Sequence, residues 1–352
     1  MENLDKDFKK LAKRSKIKRV ILTVVISFVV LIGGALGIVT FLNARAEKNS
    51  QALYRAQSIY NEIATPNLVS YGEVASYGTF TSASSTSKYT KNIDGYQQSW
   101  GTLNFSVNTI FTSPIQYVGN NITQYNGGNY STDTGKKIAT FFTVGYTDMS
   151  GGSTARFDGG TGGITVTHEA STLKDMPKHL AEVAVTFDKP YSYDEIQKMV
   201  PKNLMINWYW IGLNAKKIDA SSLPLYIGIN SDLGVTAQTY KDYGLYDQPD
   251  NTVTLDSVGE WNNYAQFAMD VKAAKNYLTS FVPSDSGSST FYLFEDAAKQ
   301  IQKYPTLDKA KFAGVILTGR TENFANLDSQ KWVYATNVGA TTEVVPYIKP
   351  IK

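Results

Sequence analysis

The sequence predicts an α+β protein with a single N-terminal transmembrane helix, a β-rich membrane-proximal domain and an α/β C-terminal domain that contains β-α-β units. Three observations predict this fold class. The chain has one long uncharged apolar segment, then short alternating segments broken by turn residues, and then alternating segments that flank short helices. The chain has 352 residues, enough for about two or three domains with hydrophobic cores. We divide it into residues 1–19, a basic cytoplasmic segment; 20–42, a transmembrane helix; 43–66, a stalk helix; 67–165, a β-rich extracytoplasmic domain; and 166–352, an α/β extracytoplasmic domain.

The transmembrane helix is predicted at Val20–Leu42, which contains no charged residue. At about 1.5 Å per residue, a helix of this length spans a hydrocarbon core about 30 Å thick. A buried core helix is rarely apolar on every face. A cleaved secretory signal is the other alternative, because Ala44–Ala46 has an A-x-A pattern, but the apolar run exceeds the roughly 7 to 15 residues of a signal core. We therefore expect an uncleaved anchor.

The charges around this segment predict its orientation. Residues 1–19 carry eight Lys and Arg against three Asp and Glu, whereas only Arg45 and Lys48 lie close to the other end. The positive-inside rule then places the N-terminus in the cytoplasm and the C-terminal region outside the cell membrane. Since the whole chain has a formal net charge of only +3, the rest is nearly neutral and offers no basic surface for nucleic acid.

The chain has no cysteine. This excludes a disulfide framework, a thiolate metal site and a cysteine nucleophile. An exported region of this size without disulfides is typical of the envelope of Gram-positive bacteria, and we expect that compartment.

Residues 48–163 predict a helix followed by a small antiparallel β domain. Between Lys48 and Ile63, apolar residues recur at helical spacing, and Pro66 ends the pattern. From Asn67 to about Gly163, Tyr, Thr and Val alternate with Gly, Asn and Ser, which favours short strands and turns. We interpret two segments as mobile loops, Ser82–Ser87 and Gly151–Gly163, and the second lacks the spacing of a phosphate-binding loop.

A β-α-β unit is predicted between residues 181 and 210. Ala181–Phe187 alternates as a strand, and Ser192 with Glu195 has the spacing of a helix capping box. Leu204, Ile206, Trp208 and Trp210 then alternate along a second strand, which places both tryptophans on one face. Aromatic residues on a strand face more often belong to a core than to a ligand platform, so we expect core.

The remaining sequence continues the α/β pattern. A second capping box at Ser257 and Glu260 opens a predicted helix with an apolar side that reaches Phe281. Phe312–Ala340 repeats the order strand, short helix, aromatic strand, and an internal duplication stays open. The other predicted elements are strands at Leu225–Ile229 and Thr252–Leu255 and a helix at Phe291–Lys303.

No catalytic, cofactor or metal site is predicted. The two histidines, His168 and His179, lack the i, i+4 spacing of a metal pair and any nucleophile motif. Asp188, Asp194 and Glu195 are better explained by turns and helix caps. A glycosidase-like pair of distant carboxylates stays open, because its members can be far apart in sequence.

Two sets of residues are candidate contacts. Gly33 and Gly37 form a G-x-x-x-G pattern that lets two transmembrane helices approach closely, although such a pattern also arises by chance. Phe8, Leu11 and Ala12 would form a small apolar stripe on a cytoplasmic helix, suited to a partner or to the membrane surface. The plain alternative is a solvated basic flank.

The N-terminal half of the chain contains "KRVILTVVISFVVLIGG", "IYNEIATPNLVSYGEVASYGTF" and "NIDGYQQSWGTLNF". The C-terminal half contains "HLAEVAVTFDKPYSYDEIQKMVP", "INWYWIG" and "FAGVILTGRTENF". The first set resembles the N-terminal region, and the second the extracytoplasmic C-terminal domain, of the sigma factor regulator family, whose members are membrane-bound anti-sigma proteins of Gram-positive bacteria. The resemblance implies a single-pass protein that restrains an extracytoplasmic-function sigma factor at the membrane.

Two functions therefore stay open. The first is a regulator whose extracytoplasmic region senses a state or partner while the N-terminal segment acts on a sigma factor, with a homodimer or a second membrane protein as further partners. The second is an extracytoplasmic envelope-binding or structural module without direct sigma factor contact, in which residues 1–19 serve only topology and attraction to anionic lipids.

Overall fold

The structure is a computed structural model of the chain. It describes residues 2–77, 82–108, 116–119, 130–131, 136–142, 147–148, 166–215, 217–218, 226–231, 263–278 and 293–348.

A single continuous helix, α1 (Glu2–Ile63), contains both the predicted transmembrane segment and the helix that follows it. The first proline comes only at Pro66, so nothing in the sequence interrupts the hydrogen-bond ladder before then. Its apolar window is fully exposed. By length and composition alone, this helix could cross a membrane.

The last part of α1 is buried in the protein core. Leu53, Ala56, Ile59 and Ile63 are all at most 1% exposed, which confirms the predicted apolar side. Tyr60 packs edge-on against the ring of Phe105, with 5.7 Å between the ring centroids. The residues predicted to form a stalk thus lie against the neighbouring sheet.

That sheet is an antiparallel meander in the order β1-β2-β3-β4. The predicted loop at Ser82–Ser87 is wrong, because these residues begin a strand. Ser87 is buried and its hydroxyl accepts hydrogen bonds from the side chains of Gln57 and Asn61 on α1, so a small polar residue is satisfied beneath the helix. The predicted loop at Gly151–Gly163 lies outside the described residues. The strands are β1 (Val69–Tyr77), β2 (Ser82–Ile93), β3 (Tyr96–Asn108) and β4 (Gln116–Gly119).

Four two-residue strands form two further small sheets. One is antiparallel, β5 with β6, and the other is parallel, β7 with β10. These strands are β5 (Tyr130–Ser131), β6 (Lys136–Lys137), β7 (Thr147–Asp148) and β10 (Lys217–Ile218).

The C-terminal sheet has the order β11-β9-β12-β8-β13. Since β12 is antiparallel to both β8 and β9, those two strands are parallel with one strand between them. Likewise, β13 is antiparallel to β8, so β12 and β13 are parallel across β8. Two strand–helix–strand units, one with the α-helix Tyr193–Met199 and one with the 3-10 helix Thr321–Phe324, therefore interlock as in ferredoxin-like folds, with β11 added at one edge. The strands are β8 (His179–Tyr191), β9 (Met205–Trp210), β11 (Gly228–Asn230), β12 (Phe312–Arg320) and β13 (Val333–Glu343).

The helices of this region agree with the predictions where they are described. The capping box of Ser192 and Glu195 is present, with both reciprocal hydrogen bonds. The predicted strand Thr252–Leu255 and the second capping box at Ser257 and Glu260 lie outside the described residues. The helices are α2 (Tyr193–Met199), α3 (Asn263–Tyr277) and α4 (Leu293–Lys303), and the 3-10 helices are Glu169–Asp175 and Thr321–Phe324.

The two tryptophans of β9 lie in the core, as predicted. Trp208 and Trp210 pack in a cluster with Phe141 on one face of the sheet. The expectation that Ile206 continues this face is wrong, because the register against β12 shifts between Ile206 and Trp208. Asn207 is the extra residue of this bulge, so Ile206 packs in the other cluster.

Candidate functional site at the junction of the two regions

The turn between β2 and β3 contacts the C-terminal sheet. Ile93 pairs with Tyr96, and the two residues between them, Asp94 and Gly95, have φ of +53° and +90°. Both positive angles define the type I′ turn typical of a two-residue hairpin. The backbone N–H of Asp94 donates to the hydroxyl of Thr318 on β12 at 3.0 Å, which seats the hairpin tip on that strand.

The end of α1 contacts the same place through Asn67. This residue has φ of +51°, a left-handed conformation that asparagine adopts more readily than most residues, and it turns the chain from the helix towards β1. Its side-chain amide donates to Oε1 of Glu182 at 2.7 Å. Its carbonyl oxygen accepts from the amide of Asn207 at 3.0 Å. One side chain therefore links the helix end to two strands of the C-terminal sheet.

A buried ion pair lies beside Asn67. Nζ of Lys91 on β2 donates to both carboxylate oxygens of Glu182 on β8, at 2.8 and 2.6 Å. Only 3% and 0% of the two side chains are exposed. The ammonium also stands 4.4 Å from the ring centroid of Trp100, a cation–π contact. The second oxygen of Glu182 accepts a further hydrogen bond from the N–H of Ala340 at 3.1 Å.

Asn207 and Thr318 complete the arrangement. The hydroxyl of Thr318 donates to the side-chain oxygen of Asn207 at 2.7 Å, and the amide of Asn207 also donates to the carbonyl of Asn92 at 2.8 Å. The bulge in β9 supplies this asparagine, which a regular strand would pair with β12. We call the five buried residues Asn67, Lys91, Glu182, Asn207 and Thr318 the junction cluster.

The junction cluster has the chemistry of a connector. Every carboxylate and amide oxygen in it accepts a hydrogen bond from another part of the chain. Removal of one member of a buried ion pair costs about 3–5 kcal/mol, because the other charge stays buried without its partner. The cluster therefore fixes how α1 and the hairpin sit on the C-terminal sheet.

The space around Gly339 on β13, next to Glu182, is too small for a side chain. A Cβ at this position would lie 2.4 Å from Oε2 of Glu182 and 2.8 Å from the Cβ of Ala139. Only glycine lets β13 pass this close to the carboxylate.

Residues 136–142 cover the neighbouring part of the sheet. The ring of Phe141 stacks on Trp210 with 4.9 Å between centroids, and the N–H of Phe142 donates to the hydroxyl of Thr186 at 2.9 Å. The N–H of Thr140 donates to the side chain of Asn337 at 3.1 Å. These contacts leave the tryptophans no exposed face for a ligand.

The predicted contact residues lie far along α1 from this cluster. Phe8 and Leu11 are 66% and 63% exposed, and Ala12 is exposed beside them. A Cβ at Gly33 or Gly37 would meet no atom within 4 Å. Both sets therefore stay predictions.

The histidines do not form a shared site. His168 lies 4.0 Å from Asp328, and His179 lies 4.0 Å from Glu343 while its Nδ1 contacts the carbonyl of Pro177. Within the described residues, no group of three or more His, Cys, Asp or Glu is placed to hold a metal ion.

The junction cluster is absent from the sequence-based predictions, although signals for it exist. Asp94-Gly95 between two alternating segments is a strong hairpin signal. Glu182 is a charged residue inside an otherwise apolar strand, which implies a buried partner. Lys91 could not be named as that partner, because the two residues are 91 positions apart.

Comparison with known protein families matches two regions of the chain. Residues 9–98 match the family described as "Sigma factor regulator N-terminal", and residues 173–340 match "Sigma factor regulator C-terminal". No curated protein and no solved structure matches the chain.

These matches identify an anti-sigma factor-like regulator. Together they cover most of the chain, and the chain belongs to the sigma factor regulator family. Asn67 and Lys91 lie in the first matched region, and the other three members of the junction cluster lie in the second. The cluster therefore joins the two parts that define the family.

Proposed function

We propose that this protein is a single-pass regulator of the cell membrane, with a cytoplasmic N-terminus and an extracytoplasmic region that senses a ligand or partner. The observation that carries the proposal is the continuity of α1. One helix begins at Glu2, passes through the apolar window and ends in the core at Ile63. In this proposal the protein regulates through binding and has no catalytic activity.

The junction cluster supports a route for the signal. A helix is stiff along its axis, whereas a flexible linker would absorb a displacement. A change in the contacts of Asn67 with the C-terminal sheet would therefore move the whole of α1. The buried ion pair favours discrete arrangements, since any intermediate position leaves a charge without its partner. Ligand binding outside would then alter the position of residues 1–19 inside.

The cytoplasmic segment supplies a small contact surface. Leu4 is 69% exposed and lies one helical turn before Phe8, so it extends the stripe of Phe8, Leu11 and Ala12. Two buried side chains contribute on the order of 3 to 5 kcal/mol before ordering costs, too little for tight binding alone. We infer that a sigma factor is held cooperatively, by a homodimer through Gly33 and Gly37 or together with a second membrane protein.

The eight Lys and Arg residues within residues 1–19 are also suited to a second candidate function, an extracytoplasmic envelope-binding module without sigma factor contact. In that case the basic residues serve insertion and attraction to anionic lipids.

One experiment separates the two candidates. Phe8→Ser with Leu11→Ser removes the stripe and leaves every basic residue, and transcripts are compared among wild type, this variant and a deletion strain. Regulation predicts that the variant and the deletion raise the same set of transcripts, at an unchanged amount of protein in the membrane. Ile17→Ser, on the opposite side of the helix, is the matched control and should behave as wild type. An unchanged transcript profile in both the variant and the deletion strain would favour the envelope module.

A further inference from the structure

A half-open groove of about 470 Å³ lies in the C-terminal region, and no member of the junction cluster lines it. This volume is within the range of small-ligand sites, about 300–1,000 Å³. Its walls are the end of β8, the residues after β9, the end of α4 and the start of β12. We call it the lysine groove, after Lys189, Lys303 and Lys311 in its lining.

The groove forms because β8 and β12 separate. Thr186 pairs with Gly314 and Tyr191 pairs with Phe312, so the four residues Phe187–Pro190 face one residue of β12, Ala313. Such a bulge interrupts the ladder of backbone hydrogen bonds between the two strands. The four bulged residues form part of the groove lining.

The wall opposite β8 is held in position by α4. The carboxylate of Asp296 accepts the backbone N–H groups of Asn214 and Ala215 at 2.7 and 2.8 Å, and the amide of Gln300 donates to the carbonyl of Ile211. Gly212 has φ of +74°. These contacts order the wall before any ligand arrives, which lowers the entropy cost of binding.

The charges of the lining favour an anion. Nζ of Lys311 forms an ion pair with Oε2 of Glu195 at 3.3 Å. Neither Lys189 nor Lys303 makes an ion pair with any residue that the structure describes. Each of these two ammonium groups stands instead over a neighbouring tyrosine ring, at 5.4 and 5.1 Å from its centroid. The carboxylate of Asp188 in the lining already accepts the hydroxyl of Tyr191 at 2.8 Å.

We propose that the lysine groove binds an extended acidic peptide segment of another protein. The peptide lies along the groove beside the bulge in β8, and its carboxylates meet Lys189 and Lys303. The proposal does not depend on the orientation of α1 in a membrane.

The test measures binding of a short fluorescein-labelled peptide that alternates glutamate and valine to the full-length protein in detergent, by fluorescence anisotropy. Lys189→Gln with Lys303→Gln should weaken binding about tenfold, since each lost exposed ion pair contributes up to about 1 kcal/mol. Lys189→Arg with Lys303→Arg should retain binding. Lys198→Gln with Lys202→Gln removes two exposed lysines outside the groove and should bind as wild type.

Three results with the peptides and the variants would each overturn the proposal. They are no saturable binding of the acidic peptide, equal binding of a peptide in which lysine replaces glutamate, and equal loss of binding in the Lys198 and Lys202 control. Inorganic polyphosphate is added as a competitor. If polyphosphate binds more tightly than the peptide with the same dependence on Lys189 and Lys303, the groove binds an anionic polymer and the peptide proposal fails.

Discussion

Nζ of Lys91 lies 2.6 Å from Oε2 of Glu182, although the two residues belong to different sheets and to different matched regions of the family. Lys91→Met should therefore lower the free energy of unfolding by about 3–5 kcal/mol, because Glu182 stays buried without its cation. Urea unfolding of the full-length protein in detergent, followed by tryptophan fluorescence, measures the change. Lys91→Met with Glu182→Gln should cost less than the sum of the two single changes, and simple additivity would argue against direct coupling.

Gly339→Ala should destabilise the fold by about 1–3 kcal/mol, because the new Cβ would overlap Oε2 of Glu182 and the Cβ of Ala139. The same unfolding measurement applies. Gly34→Ala is the matched control, since its Cβ meets nothing within 4 Å and alanine favours a helix. Equal stability of the Gly339→Ala variant and wild type would contradict the close approach of β13 to the junction cluster.

Acid should weaken the start of α2. The backbone N–H and hydroxyl of Ser192, followed by Lys311, lower the pKa of Glu195 from its ordinary value of 4.5 to about 2. A lowered carboxyl pKa contributes stability above about pH 4.5, and that contribution is lost as the pH falls towards about 2. Glu195→Gln keeps the spacing of a capping box without a titrating group, so its stability should fall less steeply across this window. Parallel stability–pH curves for the two proteins would sink this prediction.

The orientation of α1 can be read with single cysteines, because the chain has none of its own. In the proposed topology, Ser329→Cys reacts with a membrane-impermeant maleimide on intact, wall-stripped cells, and Ser15→Cys reacts only after the cells are opened. Both serines are exposed, so accessibility within the fold does not bias the comparison. The reverse labelling pattern would refute the topology.

The proposed self-association of α1 depends on Gly33 and Gly37. Gly33→Ile with Gly37→Ile should lower the signal of a membrane dimerisation reporter if these glycines form the helix contact. Leu31→Ile with Leu36→Ile is the control, since both residues are exposed and lie in the same apolar segment. An unchanged signal in the glycine variant would remove the homodimer from the proposal.

The local elements could be predicted because their signals are local. The buried side of α1 follows from helical spacing, and the capping box of α2 follows from Ser192 and Glu195 three residues apart. The core position of Trp208 and Trp210 follows from alternation along β9.

The predictions that were wrong, and the features that were not predicted, depend on contacts between distant residues. Ser87 lies in a strand rather than a loop because Gln57 and Asn61 of α1 satisfy its hydroxyl, and neither partner is visible from a serine-rich stretch. The bulge at Asn207 reverses the side of Ile206, and nothing in the alternation of β9 marks it. The ion pair of Lys91 and Glu182 needs the complete fold, since no local pattern brings β2 to β8.

The unbroken helix from Glu2 to Ile63 constrains how the outer region is rotated around the helix axis, as well as its distance from the membrane. Each residue of an α-helix rotates the chain by about 100° around the helix axis. The number of residues between the bilayer and Leu53 therefore sets the rotation of the outer region around that axis. In the proposed topology, the lysine groove then has a defined orientation relative to the lipid-facing surface of the transmembrane helix. Two neighbouring copies would present it at a fixed angle to each other.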